Sequence, residues 1–302
     1  MSSILAMETE MADIANASRA PLCEIDGLRI AFRGHDGSLV DAVRDVSLTL
    51  AAGERLGIVG ESGSGKSLTG RALLGLLPAS AQCTARSMLF EGHDLLAMSA
   101  RERRRLAGAA MGMVLQDPKY SLNPTMTVAS QMAETFRLRE RGLGRRALRA
   151  RIIDALHAVD IRDPARVAAS YPHELSGGMG QRVMIAMMIS TGPRLLIADE
   201  PTSALDVAVS MQVLAVLDET IARHGTGLLF ISHDLPLVMS FCDRVAVMYA
   251  GRVVETCAAS QLVHATHPYT RGLLAASPTL AHPVGELPVL QRDPAWLTES
   301  GR

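Results

Sequence analysis

Two kinds of apolar pattern divide the chain. Ahead of residue 55, apolar and polar positions partly alternate over residues 24–32 and 47–50, with a shorter stretch at 39–43. Alternation of this kind marks strands with one buried face. His35-Asp36-Gly37-Ser38 is a turn signal between them, so an antiparallel β region is predicted. From residue 55 onward short unbroken apolar runs take over, at 55–59, 87–90, 111–115, 195–198, 228–231, 244–249 and 252–254. Such runs suit buried strands of a mostly parallel sheet. Residues 68–77, 126–191 and the stretch after Asp206 read as helical. An α/β fold follows, preceded by residues 1–21 as a loose tail of Ala, Ser and Met without a period.

Candidate chemistry gathers where the apolar runs end. The run 55–59 leads into Gly60-Glu61-Ser62-Gly63-Ser64-Gly65-Lys66-Ser67, the G-x-x-x-x-G-K-S pattern of a phosphate-binding loop, and then into a predicted helix beginning near Leu68. Glycines let successive N–H groups converge on one phosphate, and the helix N-terminus adds free donors and positive potential. Lys66 can reach the β- and γ-phosphates, and the Ser67 hydroxyl can ligate Mg²⁺. Of the 30 Lys and Arg residues only two are lysines, Lys66 and Lys119. A slender ammonium at position 66, in a chain that otherwise uses Arg, points to a site a guanidinium would not fit.

Gln116 follows the run 111–115, Asp199 and Glu200 close the run 195–198, and His233 follows the run 228–231. Ligands of parallel sheets bind at that strand edge. Asp199 is placed to hold Mg²⁺ and Glu200 to polarise a water. Two acids at the same sheet edge as a phosphate loop are hard to explain as mere helix caps. Ser176-Gly177-Gly178 opens a helix and forms a second anion site, weak on its own because many helices begin with Ser. Phe32 has two readings of equal weight, a platform for an adenine ring or a half-buried strand aromatic.

Composition narrows the function classes. A net charge of −1 does not call for nucleic acid as a partner, and 3% aromatic residues argue against a base-stacking surface. The basic clusters at 101–105 and 137–151 are read as solvated helix faces. Cys23, Cys83, Cys242 and Cys257 are scattered, with no C-x-x-C, so neither zinc nor a disulfide framework is indicated. No apolar run approaches the ~20 residues that span a bilayer, and residues 1–21 do not form a convincing signal peptide. The expected location is the cytoplasm, or a membrane reached through a partner.

Phosphate loop, strand-end Gln, Ser-Gly-Gly helix start, Asp-Glu strand and strand-end His stand in one order that resembles the nucleotide-binding subunit of an ABC transporter, over roughly residues 22–275. The resemblance implies a P-loop NTPase (RecA-like) core with an antiparallel β subdomain and an inserted α-helical subdomain at about 119–187. It implies a nucleotide-binding domain at 22–255 and a C-terminal extension at 256–302. Phe32 then matches the adenine-stacking aromatic, and residues 60–68, with Leu68 through its backbone N–H, the ATP-binding loop. Gln116 matches the Q-loop glutamine, and Ser67, Gln116 and Asp199 the Mg²⁺ ligands. Glu200 and His233 match the catalytic pair and Asp206 the D-loop aspartate. Ser176, Gly177, Gly178 and Gln181 match the signature that contacts ATP held by a second subunit.

A narrower resemblance is to the peptide and nickel importer branch. It rests on Gln116-Asp117-Pro118 with Ser121-Leu122-Asn123-Pro124-Thr125-Met126-Thr127, and on His267-Pro268-Tyr269-Thr270-Arg271-Gly272-Leu273-Leu274. It implies import of di- or oligopeptides, or of nickel or a metal chelate, with ATP and Mg²⁺. The implied partners are a second ATPase subunit, identical or paralogous, two membrane permease subunits and a solute-binding protein, at the cytoplasmic face of a bacterial inner membrane. Gly180 stands where the branch commonly has Arg. The tail after Leu280 lacks the cysteine cluster of some peptide-importer ATPases, so no iron–sulfur cluster is expected. Soluble ABC ATPases of repair or translation are the rival class; the long coiled-coil insertion of the first and the second cassette of the other are absent from this sequence. A non-catalytic regulatory module is disfavoured by the intact Lys66, Asp199, Glu200 and His233.

Overall fold

The computed structural model of the chain describes residues 21–34, 36–116, 121–140, 142–203, 205–277 and Trp296. The expectations for residues 1–20, for Asp117-Pro118 and for residues 281–295 and 297–302 fall outside them. In chain order, β1 (Cys23–Arg33) and β2 (Leu39–Leu50) lead to β3 (Arg55–Val59) and helix α1 (Lys66–Leu74). Short strands β4 (Ala81–Thr84), β5 (Ser87–Phe90) and β6 (His93–Asp94) follow, then α2 (Ala100–Ala110) and β7 (Met111–Val114). Next comes a helical block, α3 (Val128–Arg139), α4 (Arg145–Ala158), α5 (Pro164–Ala169) and α6 (Gly177–Ile189). The chain closes with β8 (Leu195–Asp199), α7 (Val207–His224), β9 (Gly227–Ile231), α8 (Leu235–Phe241), β10 (Arg244–Tyr249), β11 (Arg252–Ala258) and α9 (Pro268–Ala276).

The two apolar patterns become two sheets. The alternating segments form an antiparallel sheet in the order β2-β1-β5-β6, with β4 also paired to β1. The unbroken runs, apart from 87–90, which is β5 of the first sheet, form a second sheet, β11-β10-β3-β9-β8-β7, parallel from β10 to β7 with β11 antiparallel at its edge. All five residues of β8 and all five of β9 are buried, as a strand covered on both faces requires. The α/β class and the P-loop NTPase architecture read from the sequence therefore hold.

Three details differ from the sequence reading. Residues 39–43 and 47–50 belong to one strand. Leu28 pairs with Val46 and Ile30 with Val43, so an extra residue is absorbed opposite β1, and Asp45 takes φ 54. A bulge of this kind preserves the ladder while resetting the alternation. The expected domain boundary at residue 255 falls inside β11, whose pairing with β10 runs on to Ala258. In the basic run 101–105, Arg103 is half-buried and donates to the carbonyl oxygens of Ala72 and Leu73, tying α2 to the end of α1. Its neighbours Arg101, Arg104 and Arg105 are exposed, as expected.

The sheet order sets the site. β9 lies between β3 and β8, and β7 lies beyond β8. The segments leaving the C-terminal ends of β3, β9, β8 and β7 therefore stand side by side: the glycine loop, His233, Asp199-Glu200 and Gln116. Helix α4 puts Leu148, Ile152 and Leu156 at four-residue spacing into the core shared with Met132 and Phe136 of α3, which fixes the helical block beside β7 and β8.

Candidate functional site

The loop after β3 is built around two glycines. Gly60 has φ 148, and a Cβ there would stand 2.1 Å from the Met248 carbonyl oxygen. Gly65, at φ 99, precedes the first turn of α1. Only glycine meets both demands without strain. Lys66 is 7% exposed. Its Nζ donates to the Gly60 carbonyl at 2.7 Å and the Glu61 carbonyl at 2.8 Å. Burial pushes its ammonium below the ordinary lysine range, while the charges of Glu200, Asp199 and Glu61 act in the opposite direction. Ser62 and Gly63 are exposed, and Ser64 is buried with no hydrogen-bond partner for its hydroxyl among the described residues. Leu68 packs against the core of the antiparallel sheet, leaving its backbone as the polar group it can present.

Ser67 Oγ donates to Asp199 Oδ1 at 2.8 Å. Asp199 is 3% exposed. Burial pushes its carboxyl up, opposed by the Ser67 hydrogen bond and by the positive charges of Arg71 and Lys66. These are hard oxygen donors at one point, the chemistry Mg²⁺ selects while keeping several waters. Among the described residues no group of three His, Cys, Asp or Glu side chains is arranged to hold a metal.

Glu200 is the centre of the site. It has φ 50, a left-handed conformation that costs a non-glycine residue about 1–2 kcal/mol. Its N–H donates to the Ile231 carbonyl at 2.9 Å, and its carbonyl accepts from Ser203, which holds the strained turn in place. The result aims the carboxylate along the sheet edge. Gln116 Nε2 donates to Glu200 Oε2 at 3.0 Å, and His233 Nδ1 lies 3.1 Å from Glu200 Oε1. Three residues chosen from the sequence as separate strand ends thus meet in one cluster. His233 is open, its side chain 63% exposed against 18% for Glu200.

The remaining candidates are placed elsewhere. Phe32 is half-buried on β1, packed against the core of that sheet and opposite Val40 and Ala81. Asp206 caps α7, accepting from the Val209 N–H at 2.9 Å. Ser176 caps α6 by accepting from the Met179 N–H at 3.3 Å, and Ser176 and Gly177 are exposed. Gly178 is partly buried, and a Cβ there would touch Leu205 at 3.4 Å.

Gln181, to which the signature reading gives a contact with nucleotide on another subunit, is 2% exposed in the single chain. Its Nε2 donates inward to the Pro201 carbonyl at 2.9 Å and the Leu115 carbonyl at 3.4 Å. Leu115 adjoins Gln116 and Pro201 adjoins Glu200, so Gln181 ties α6 to both arms of the cluster. Replacing it with Leu is expected to leave MgATP affinity within about two-fold and to lower turnover about ten-fold, since small misplacements of reacting groups are costly. Calorimetric titration and steady-state ATPase rates separate the two effects.

Sequence reasoning placed Tyr269 in a motif but gave it no part in the site. Its buried hydroxyl accepts from the Glu61 N–H at 3.1 Å, across 208 residues. A contact so distant in the chain leaves no local pattern.

Comparison with known proteins places the chain in a family. The family described as ABC transporter matches residues 43–203. The oligopeptide transport ATP-binding protein OppD of Bacillus subtilis is 45% identical over 261 residues, 86% of this chain and 72% of its own. The dipeptide transport ATP-binding protein DppD of Escherichia coli is 46% identical over 261 residues, 86% of this chain and 79% of its own. Among solved structures, the dimeric ATP-binding cassette MJ0796 bound to ADP and Pi has a TM-score of 0.72 at 23% identity, over 78% of this chain and 98% of that one. CbiO1 of Clostridium perfringens, part of the ABC transporter complex cbiONQ, has a TM-score of 0.67 at 26% identity, over 81% of this chain and 91% of that one. The chain belongs to the ABC transporter family.

Proposed function

We propose that this chain is the ATPase subunit that powers import of di- or oligopeptides through a membrane transporter. The observation that carries the reading is the clasp of Glu200 between Gln116 and His233, beside the Lys66 loop and the Ser67–Asp199 pair. The peptide substrate class is supported by the names of the relatives OppD and DppD.

Each residue has a distinct task. The loop amides and Lys66 hold the phosphates of ATP. Ser67 and Asp199, with Gln116 at the edge, hold Mg²⁺, which when bound neutralises phosphate charge and orients the leaving group. Glu200 accepts the proton of the attacking water or orients it, at the atom now facing Gln116. His233 donates to a phosphate oxygen or to Glu200. Phe32 supports the adenine ring from the edge of β1. The exposed Ser176 and Gly177, with Gly178, face ATP held by a second ATPase subunit, identical or paralogous. Val207 and Met211, 82% and 59% exposed on the first turns of α7 beside Asp206, give apolar surface to that contact.

The helical block is the surface we assign to the membrane partner. A groove of about 480 Å³ there is lined by Met126, Ser130, Ala133, Arg137, Leu148 and Ile152. No helix among the described residues is long and apolar enough to cross a membrane, in keeping with peripheral attachment through two permease subunits at the cytoplasmic face of a bacterial inner membrane. A solute-binding protein completes the system.

The test is ATP turnover by the transporter reconstituted with its binding protein, across di- and oligopeptides and nickel chelates. Several-fold stimulation by peptides is the expected result. Stimulation by a metal chelate alone would move the protein to metal uptake. Turnover indifferent to permease and solute would return the soluble-ATPase reading.

A further inference from the structure

The C-terminal segment reaches the phosphate loop. Tyr269, in the first turn of α9, is fully buried. Its hydroxyl accepts from the Glu61 N–H, the first peptide after Gly60. The carbonyl of the same residue accepts from Lys66 Nζ, so the Glu61 residue is held from both sides. A second support arrives from the same direction. The turn between β10 and β11 puts the Gly251 N–H on the Ser64 carbonyl at 3.1 Å, while the Gly251 carbonyl accepts from the Arg44 N–H at 2.6 Å.

The position of Tyr269 is itself fixed. Its ring lies 4.4 Å from that of Tyr249, the last residue of β10, and Trp296 packs edge-on to both at 5.8 and 6.0 Å. His267 caps α9, its Nδ1 accepting from the Tyr269 N–H at 3.2 Å. Pro268 presets the first helical turn. Glu255 of β11 accepts from the Thr266 N–H at 2.7 Å and so anchors the approach to the cap. Four residues singled out in the sequence, His267-Pro268-Tyr269-Thr270, thus end on one hydroxyl aimed at the loop.

We propose that Tyr269 is a positioning residue of the nucleotide site, its hydroxyl presetting the Glu61 peptide so that the loop is formed before phosphate arrives. A loop ordered in advance binds its ligand without the entropy of ordering it. The inference rests on reading residues 60–67 as the nucleotide-binding loop.

The test uses the full chain with Tyr269→Phe, which removes the hydroxyl and keeps the ring. MgATP affinity is expected to weaken about three- to ten-fold, the range of one ordinary hydrogen bond. Amide exchange in peptides covering residues 57–66 is expected to quicken, while β9 exchanges as in the wild type. Emission from Trp296, the single tryptophan, checks that the segment stays packed. A merely structural tyrosine would lower the thermal midpoint and leave both the affinity and the local exchange unchanged; that outcome overturns the proposal. Lys66→Ala is run beside it. If Lys66→Ala loses binding and Tyr269→Phe binds as wild type, the positioning role fails alone. If Lys66→Ala binds normally, the loop assignment fails and takes this inference with it.

Discussion

Replacing Glu200 with Gln is expected to cut ATP turnover by about 10²–10⁴-fold while MgATP still binds within about two-fold of the wild type. The side chain keeps its length, so the turn at φ 50 and the contact volume are conserved. What is lost is the proton acceptor. In the free chain the Glu200 carboxylate takes a hydrogen bond from Gln116 and faces His233 Nδ1. An amide can satisfy one of these neighbours with its oxygen, but it cannot take a proton from water at neutral pH. The left-handed backbone position predates the substitution and costs the variant the same as the wild type, so its thermal midpoint is expected to move little. Single-turnover rates with radiolabelled ATP, beside equilibrium binding, give both numbers. A residual rate within three-fold of wild type would remove Glu200 from the proton-accepting role.

Lys66→Ala is expected to show the opposite pattern, with MgATP affinity falling about 10- to 100-fold, the range for hydrogen bonds to a charged group. The nucleotide-free protein is expected to keep a thermal midpoint close to that of the wild type. Lys66 is buried with its ammonium against two backbone carbonyls, and burial holds it below its ordinary pKa. A cation that gives up protons more readily folded than unfolded is a destabilising charge below that range. Its removal releases that penalty and forfeits two hydrogen bonds, effects of opposite sign. Thermal melts with and without MgATP check this: the wild type is expected to gain stability with nucleotide and the variant to gain little.

The parts legible in the sequence were those with local causes. Buried strands read as unbroken apolar runs, and the residues ending them fell at the sheet edge because parallel strands share a direction. Gln116, Glu200 and His233 could be chosen one by one on that ground. Their mutual contact could not, since it depends on the order in which β9 enters between β3 and β8. The inward direction of Gln181 was not legible, because a motif gives spacing and not the direction of a side chain. Buried on α6, its amide turns inward to Pro201 and Leu115. Arg103 was lost within a run of exposed arginines. The single strand β2 was read as two because the bulge at Asp45 interrupts the alternation without breaking the ladder. Tyr269 was recognised as part of a motif, but its partner lies 208 residues away.

The most direct measurement is the initial rate of ATP hydrolysis by the assembled transporter, with peptide-loaded binding protein, for the wild type and for Glu200→Gln at equal nucleotide occupancy. A peptide-stimulated rate in the wild type that vanishes in the variant would tie the Gln116–Glu200–His233 cluster to the work of import. Equal stimulated rates in both would mean that the cluster is not the hydrolytic centre.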